Sequence, residues 1–407
     1  MKPNPGNPPG LRRPMMASPA ERLHEQGLDV ESVDEILEGR RGQPGVPTRV
    51  DPPRLPDTPM FPEPGIYFNM PDAEYHAIPA LSNSGIKYLA SSPMLFWAKS
   101  WMNPNREEED REHQILGRAY HCRLMEGLAA FEARFAVLPD KAEYKDLLVT
   151  DDDIRKALKD AGEKPRSGNK SERILQLLGV DPSANIWDSI VAEHAFANEG
   201  KAYITAEQWK RLEIAAYMID RDPELSKAFS GGHPEVALFW YCPTTGVPMK
   251  ARVDYLKTRA MIDLKSFGNQ RERSIERAIA YEIAGYHYNI QPSVYFEGAA
   301  EVRKLVRECG ASVIHGLDDP SWALRWAQHA EPDRWLWVFQ QKGPAPVTRG
   351  LWYPRAGTTK TITDEIVAQQ KRKFVRHVEM FGAEPWLDIA PIYDLADEDI
   401  PPFATEI

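Results

Sequence analysis

Apolar and polar positions alternate most regularly in the middle of the chain. EVALFWY at 235–241, MKARVDYL at 249–256 and AMIDLKS at 260–266 read as three short strands, separated by turns at Thr244-Thr245-Gly246 and Lys257-Thr258-Arg259. From Ser274 the apolar period becomes helical to about Val306, with a break near Tyr286–Pro292. WLWVFQQK and RGLWYP predict two further strands, and Thr361–Phe381 a closing helix. Upstream, in LSNSGIKYLASSPMLFWAKS, Ser82 or Ser84 suits a helix cap and Ser92-Pro93 the start of the next helix. GRAYHCRLMEG continues on a helix with Gly117 and His121 on one face, and Thr205 opens another. Strands mixed with helices in this order predict an α/β fold, with order beginning near Gly65.

The ends and one internal stretch differ in texture. Residues 1–62 are dense in Pro, Gly and charge and read as a disordered arm, interrupted by one short helix near Ser18–Glu38. Residues 383–407 read as a Pro-rich, acidic tail, which leaves one domain at 63–382. Within that domain, 150–180 forms two short helices around EKPRSGNKS, a polar turn carrying Lys164, Arg166 and Lys170. It resembles a SAP or HeH module, a small helical hairpin often used to touch DNA; the alternative is a plain hairpin inserted in the larger fold.

Composition narrows the function classes. No apolar run is long enough for a membrane span and no secretory signal is legible, so a cytoplasmic location without membrane attachment is expected. Three cysteines, Cys122, Cys242 and Cys309, lie too far apart for a disulfide framework or an iron–sulfur site. No Walker-type phosphate loop is present, so no ATP-driven motor is expected. The net charge of −10 is the wrong sign for a coat on nucleic acid. Between Pro248 and Arg277, however, eight basic residues face four acidic ones, so the chemistry-bearing segment is locally basic.

That segment is KARVDYLKTRAMIDLKS. A tight hairpin puts Asp254 on one strand nearly opposite Asp263 on the other, and Lys265 leaves the same face as Asp263. Two carboxylates held this close repel unless a cation lies between them, and oxygen donors suit Mg²⁺, with Mn²⁺ able to substitute. A lysine beside them can steady an attacking water or the charge of a phosphoryl transition state. Taken alone, D-x-K is also compatible with an ordinary charged hairpin face.

The hairpin, the helix Gly117-Arg-Ala-Tyr-His121 ahead of it and Gln291-Pro-Ser-Val-Tyr295 behind it resemble the PD-(D/E)xK superfamily. The closest likeness is to RecE-type exodeoxyribonucleases of phages and prophages, with the motif set of the RecB/RecE branch. The resemblance runs from about Ile66 to Phe381 and includes LSNSGIKYLASSP. It implies a restriction-endonuclease-like core, a central mixed sheet flanked by helices, with the helical hairpin as an insert. It also implies metal ligation by His121, Asp254, Asp263 and the carbonyl of Leu264, with Glu235 as a further acidic position. Lys265, Gln291 and Tyr295 complete the expected catalytic set, and Arg252 with the three insert cations the expected DNA contacts. The implied activity is ATP-independent 5′→3′ digestion of linear double-stranded DNA. It leaves 3′ overhangs for a RecT-type annealing partner and is carried out by a ring-shaped homo-oligomer. An end- or structure-specific endonuclease, or a non-catalytic DNA-binding phage protein, would keep the same core. One departure stands out: Pro292 lies inside the Gln291–Tyr295 match and requires a helix that starts near Tyr288–Gln291.

Overall fold

The computed structural model describes residues 60–106, 112–269, 271–329, 334–342, 346–387 and 396. Nearly all of the expected arm, its short helix included, and most of the expected tail lie outside them. Strand β1 (Gly65–Tyr67) leads into α1 (Asp72–Ala77), α2 (Asn83–Ser91), α3 (Pro93–Lys99) and α4 (Glu112–His121). Next come α5 (Leu128–Arg134), β2 (Phe135–Val137), α6 (Asp151–Asp160), α7 (Lys170–Val180), α8 (Trp187–Ala197), β3 (Ala202–Ile204) and α9 (Ala206–Arg221). The central strands β4 (His233–Tyr241), β5 (Pro248–Leu256) and β6 (Ala260–Phe267) precede α10 (Ile275–Gly285) and α11 (Ile290–Cys309). The chain closes with β7 (Ile314–His315), α12 (Ser321–Gln328), β8 (Arg334–Gln341), β9 (Thr348–Trp352) and α13 (Thr358–Phe381).

Seven strands form one mixed sheet in the order β7-β1-β4-β5-β6-β8-β9, with β1–β7 and β6–β8 parallel and the other pairs antiparallel. The sheet is buried on both faces. Val236, Leu238 and Trp240 of β4 join Met249, Ala251 and Val253 of β5 in the main core, against residues of α2, α11 and α13. Ile262, Leu264, Leu336 and Val338 pack on the other face with residues of α4 and α9. This is the expected α/β core with helices on both sides of a central mixed sheet. Among the described residues no helix is long and apolar enough to cross a membrane.

Local signals set the helix boundaries. The Ser82 hydroxyl accepts from the Gly85 N–H at 3.2 Å at the start of α2, and Pro93 occupies the first turn of α3. Thr205 and Gln208 form a reciprocal capping box on α9. Helix α11 begins at Ile290, so Pro292 falls in its first turn, where no intrahelical donor is lost. The 150–180 stretch is a helical hairpin with a small core of its own, Ile154, Leu158, Leu177 and Ile186. Arg173, almost fully buried, ties it together by pairing with Asp151 and donating to the carbonyls of Arg166 and Gly168.

The fold also extends past the boundary that composition suggested. Trp386 is fully buried, stacked on Phe96 at 4.9 Å between centroids and edge-on to Phe374. The first residues after α13 therefore belong to the core, and an aromatic anchor outweighs a polar, Pro-rich neighbourhood. Trp386→Ala is expected to cost about 3–5 kcal/mol by opening a core cavity. A urea midpoint unchanged from wild type would show that this segment only rests on the surface.

Candidate active site

The site forms where β5 and β6 part. Their ladder holds at Leu256↔Met261 and Tyr255↔Ile262, and the same register would pair Asp254 with Asp263 next. Instead the Asp254 carboxylate accepts from the Leu264 N–H at 3.0 Å, a side chain taking the place of a backbone rung. Strand β6 stays in place because its other edge pairs with β8 along its whole length, Asp263 opposite Trp337. Strand β5 stays in place because β4 holds it on the far side.

That far ladder is interrupted at the same level. Pro234↔Tyr255 and Val236↔Val253 flank a position where Glu235 would face Asp254, and Glu235 has a φ of 50°. Left-handed backbone at a non-glycine residue costs about 1–2 kcal/mol, and such strain concentrates at functional sites. The alternation of side chains slips here too: Val253 packs into the main core, but Tyr255 joins the opposite cluster.

Asp263 is fully buried. One carboxylate oxygen accepts from Lys265 Nζ at 2.8 Å and from Gln291 Nε2 at 2.6 Å. The other lies 2.7 Å from Lys265 Nζ as an ion pair but is without a hydrogen bond. Burial, with Asp254 adding to it, raises the Asp263 carboxyl above the usual carboxylate range against the pull of Lys265. Burial disfavours the Lys265 ammonium, yet Asp263 and Asp254 more than compensate and raise it.

His121 enters from the end of α4, just before a single π-helical turn at Cys122–Glu126, a distortion often found at functional sites. Its Nδ1 lies 3.6 Å from Glu235 Oε1 and 3.7 Å from Asp254 Oδ2. Burial alone would lower this imidazole, but the two carboxylates hold it up at about 9. Helix α11 completes the wall. Gln291 reaches Asp263, and one turn on the buried Tyr295 hydroxyl donates to the Arg252 carbonyl at 3.0 Å.

The structure thus brings His121, Glu235, Asp254, Asp263, Leu264, Lys265, Gln291 and Tyr295 together. Arg252 faces inward instead: its guanidinium pairs with Glu235 at 3.0 Å and with Asp72, and lies over the Tyr75 ring. Lys170 is likewise committed, to Asp188 and the Val149 carbonyl. Neither presents the free cation that a DNA contact requires, because each stands beside acids from a distant part of the chain. Lys164 and Arg166 are exposed on the insert. Two further residues stand beside the site without belonging to any of its motifs, Lys87 of α2 and Tyr288 just before α11. The Tyr288 ring lies 5.2 Å from Lys265 Nζ and 5.1 Å from Lys87 Nζ. Its spacing of three before Gln291 was a signal available in the sequence.

The donor set suits a hard divalent cation in kind: two carboxylates, a third acid and an imidazole. Among the described residues no three such side chains converge on one point, and Lys265 and Gln291 occupy Asp263.

The chain matches none of the curated proteins. A solved structure from Eubacterium rectale, described as a "putative exonuclease", is 14% identical, with a TM-score of 0.39 over 73% of this chain and 80% of that one. Nucleases of the PDDEXK type generally use divalent metal ions. A family model described as a PDDEXK-like domain of unknown function (DUF3799) matches residues 82–309, more than half of the chain, and the protein belongs to that family.

Proposed function

We propose that the protein is a metal-dependent deoxyribonuclease that hydrolyses phosphodiester bonds at the parting of β5 and β6. The observation that carries this reading is the buried Asp263 beside Lys265, at the level of Asp254 across an opened ladder. Burying this much charge is costly, and a solvated hairpin face would have no reason to do so.

Asp254, Asp263, Glu235, His121 and the Leu264 carbonyl are the residues that would hold Mg²⁺. Bound there, a divalent ion would polarise the scissile phosphate and acidify the attacking water. The remaining work falls to the chain. Lys265, fixed by Asp263, places positive charge where a phosphoryl oxygen gains negative charge. Gln291 holds the Asp263 carboxylate in one orientation, and Tyr295 pins the free backbone of β5. Exonuclease action on linear duplex DNA, 5′→3′ without ATP and leaving 3′ overhangs, is the finer form of the proposal. A ring-shaped oligomer and a RecT-type annealing partner would fit that role. Incubation with linear and covalently closed circular duplex, with and without Mg²⁺, tests it. Linear DNA alone should disappear; cutting of the circle would make the enzyme an endonuclease, and no cutting of either would end the nuclease reading.

Lys265→Ala should lower single-turnover cleavage at saturating DNA by roughly 10²-fold or more, while DNA affinity stays near wild type. Losses of equal size in affinity and rate would mark Lys265 as structural.

Metal binding should also depend on pH in a defined direction. With its imidazole held at about 9, His121 is protonated at neutral pH and must release that proton to ligate. Calorimetric Mn²⁺ affinity is expected to rise from pH 7 towards 9, and to do so less steeply in His121→Ala. Asp254→Asn and Asp263→Asn should each abolish binding. Wild-type affinity in both would place the metal elsewhere.

For the insert, replacing Lys164 and Arg166 with Ser should reduce the salt slope of duplex binding by about two units, one for each lost phosphate contact. An unchanged slope would leave the hairpin as packing only.

A further inference from the structure

We propose that Lys87 and Tyr286 form a nucleotide subsite beside the reaction centre, Lys87 taking a backbone phosphate and Tyr286 stacking on an unpaired base. The inference rests on the nuclease reading of the neighbouring carboxylates, and adds to it a statement about the substrate.

Lys87 is the first half of the subsite. Its ammonium is half-buried, donates to the Tyr286 carbonyl at 2.7 Å and lies 5.1 Å from the centre of the Tyr288 ring. Among the described residues no carboxylate pairs with it. Lys265, the lysine held by Asp263, lies 5.2 Å from the same ring. Two lysines thus share one tyrosine, and of the two only Lys265 is in contact with a carboxylate. Burial, with Lys265 adding to it and Asp263 opposing, draws the Lys87 ammonium down to about 8. A half-buried cation without a contacting carboxylate is stabilised by an incoming anion, and a phosphate next to the one being cleaved lies within a nucleotide's reach.

Tyr286 is the second half. It is 60% exposed, and its ring stacks on Tyr288 at 5.6 Å and 17°. A large ring backed by another ring and otherwise open to solvent gains little from folding, but presents a flat surface for a base. The bases inside a duplex have both faces covered by their neighbours. Only an unpaired or terminal base can therefore use this platform, which makes single-stranded DNA the preferred ligand of the subsite. The Lys87 contact to the Tyr286 carbonyl fixes the phosphate position relative to the ring, so the two contacts read one nucleotide.

The test measures binding without cleavage, using the full chain in EDTA and fluorescence anisotropy with a labelled oligo-dT or a blunt duplex. Tyr286→Ala should weaken oligo-dT binding by about tenfold and blunt-duplex binding much less, with melting unchanged. Tyr286→Trp should retain or improve it. Lys87→Gln should lower the salt slope for oligo-dT by about 0.7, and Lys87→Arg should restore it, which a purely structural lysine would not do. Wild-type affinity and slope in both Tyr286→Ala and Lys87→Gln would overturn the subsite, as would a wild type that fails to bind oligo-dT. Cleavage by wild type in Mg²⁺ is scored separately. If it is absent while Tyr286→Ala still loses oligo-dT binding, the nuclease reading fails and the nucleotide subsite stands.

Discussion

The site depends on one substituted hydrogen bond. Where β5 and β6 would form their next rung, the Asp254 carboxylate takes the Leu264 N–H instead. A strand pair cannot open in the middle of a sheet without leaving donors and acceptors unpaired, at a cost of about 1–3 kcal/mol for each group left buried. Here a side chain satisfies one and the Tyr295 hydroxyl, from α11, satisfies the Arg252 carbonyl. The opening is therefore a stable gap, held apart by the same groups that give it chemical character. The parallel ladder between β6 and β8 keeps Asp263 and Lys265 fixed while the other edge is free.

Burial then decides how the charges behave. Asp263 lies at the bottom, held by Lys265 and Gln291, and Glu235 and Asp254 approach His121 from the neighbouring strands. Removing one member of such a set leaves the others desolvated without compensation, typically a loss of about 3–5 kcal/mol. The outer shell follows the same logic: Arg252 neutralises Glu235 and is itself neutralised by Asp72. Glu235 accepts a left-handed backbone in a strand as part of this arrangement.

Much of this was legible in the sequence because the relevant spacings are short. Strand alternation placed β4, β5 and β6, and a tight turn brought Asp254 and Asp263 to one level. Pro292 allowed only a helix starting where α11 does. The Gly117–His121 and Gln291–Tyr295 pairs were readable because helical periodicity puts each on one face. What escaped was set by long-range packing. Nothing near Arg252 announces Asp72, and nothing near Lys170 announces Asp188, so both looked like free cations. Trp386 sits in a stretch whose polarity suggests a tail, and only its contact with Phe96 makes it core. Lys87 and Tyr288 become neighbours through the packing of α2 beside α11, which no local pattern encodes.

The acidity of the chain is compatible with a polyanionic substrate for a reason of range. At physiological salt, charges further than about 8 Å from a phosphate are largely screened, so a net charge of −10 summed over the whole chain has little influence inside a cleft. What a strand bound there would meet is local. Lys265 and Lys87 flank one tyrosine, and Arg273 and Arg277 lie on Tyr281, farther back along α10 from Tyr286. Local cations at the gap, rather than the sum over the whole chain, set what a polyanion would meet there.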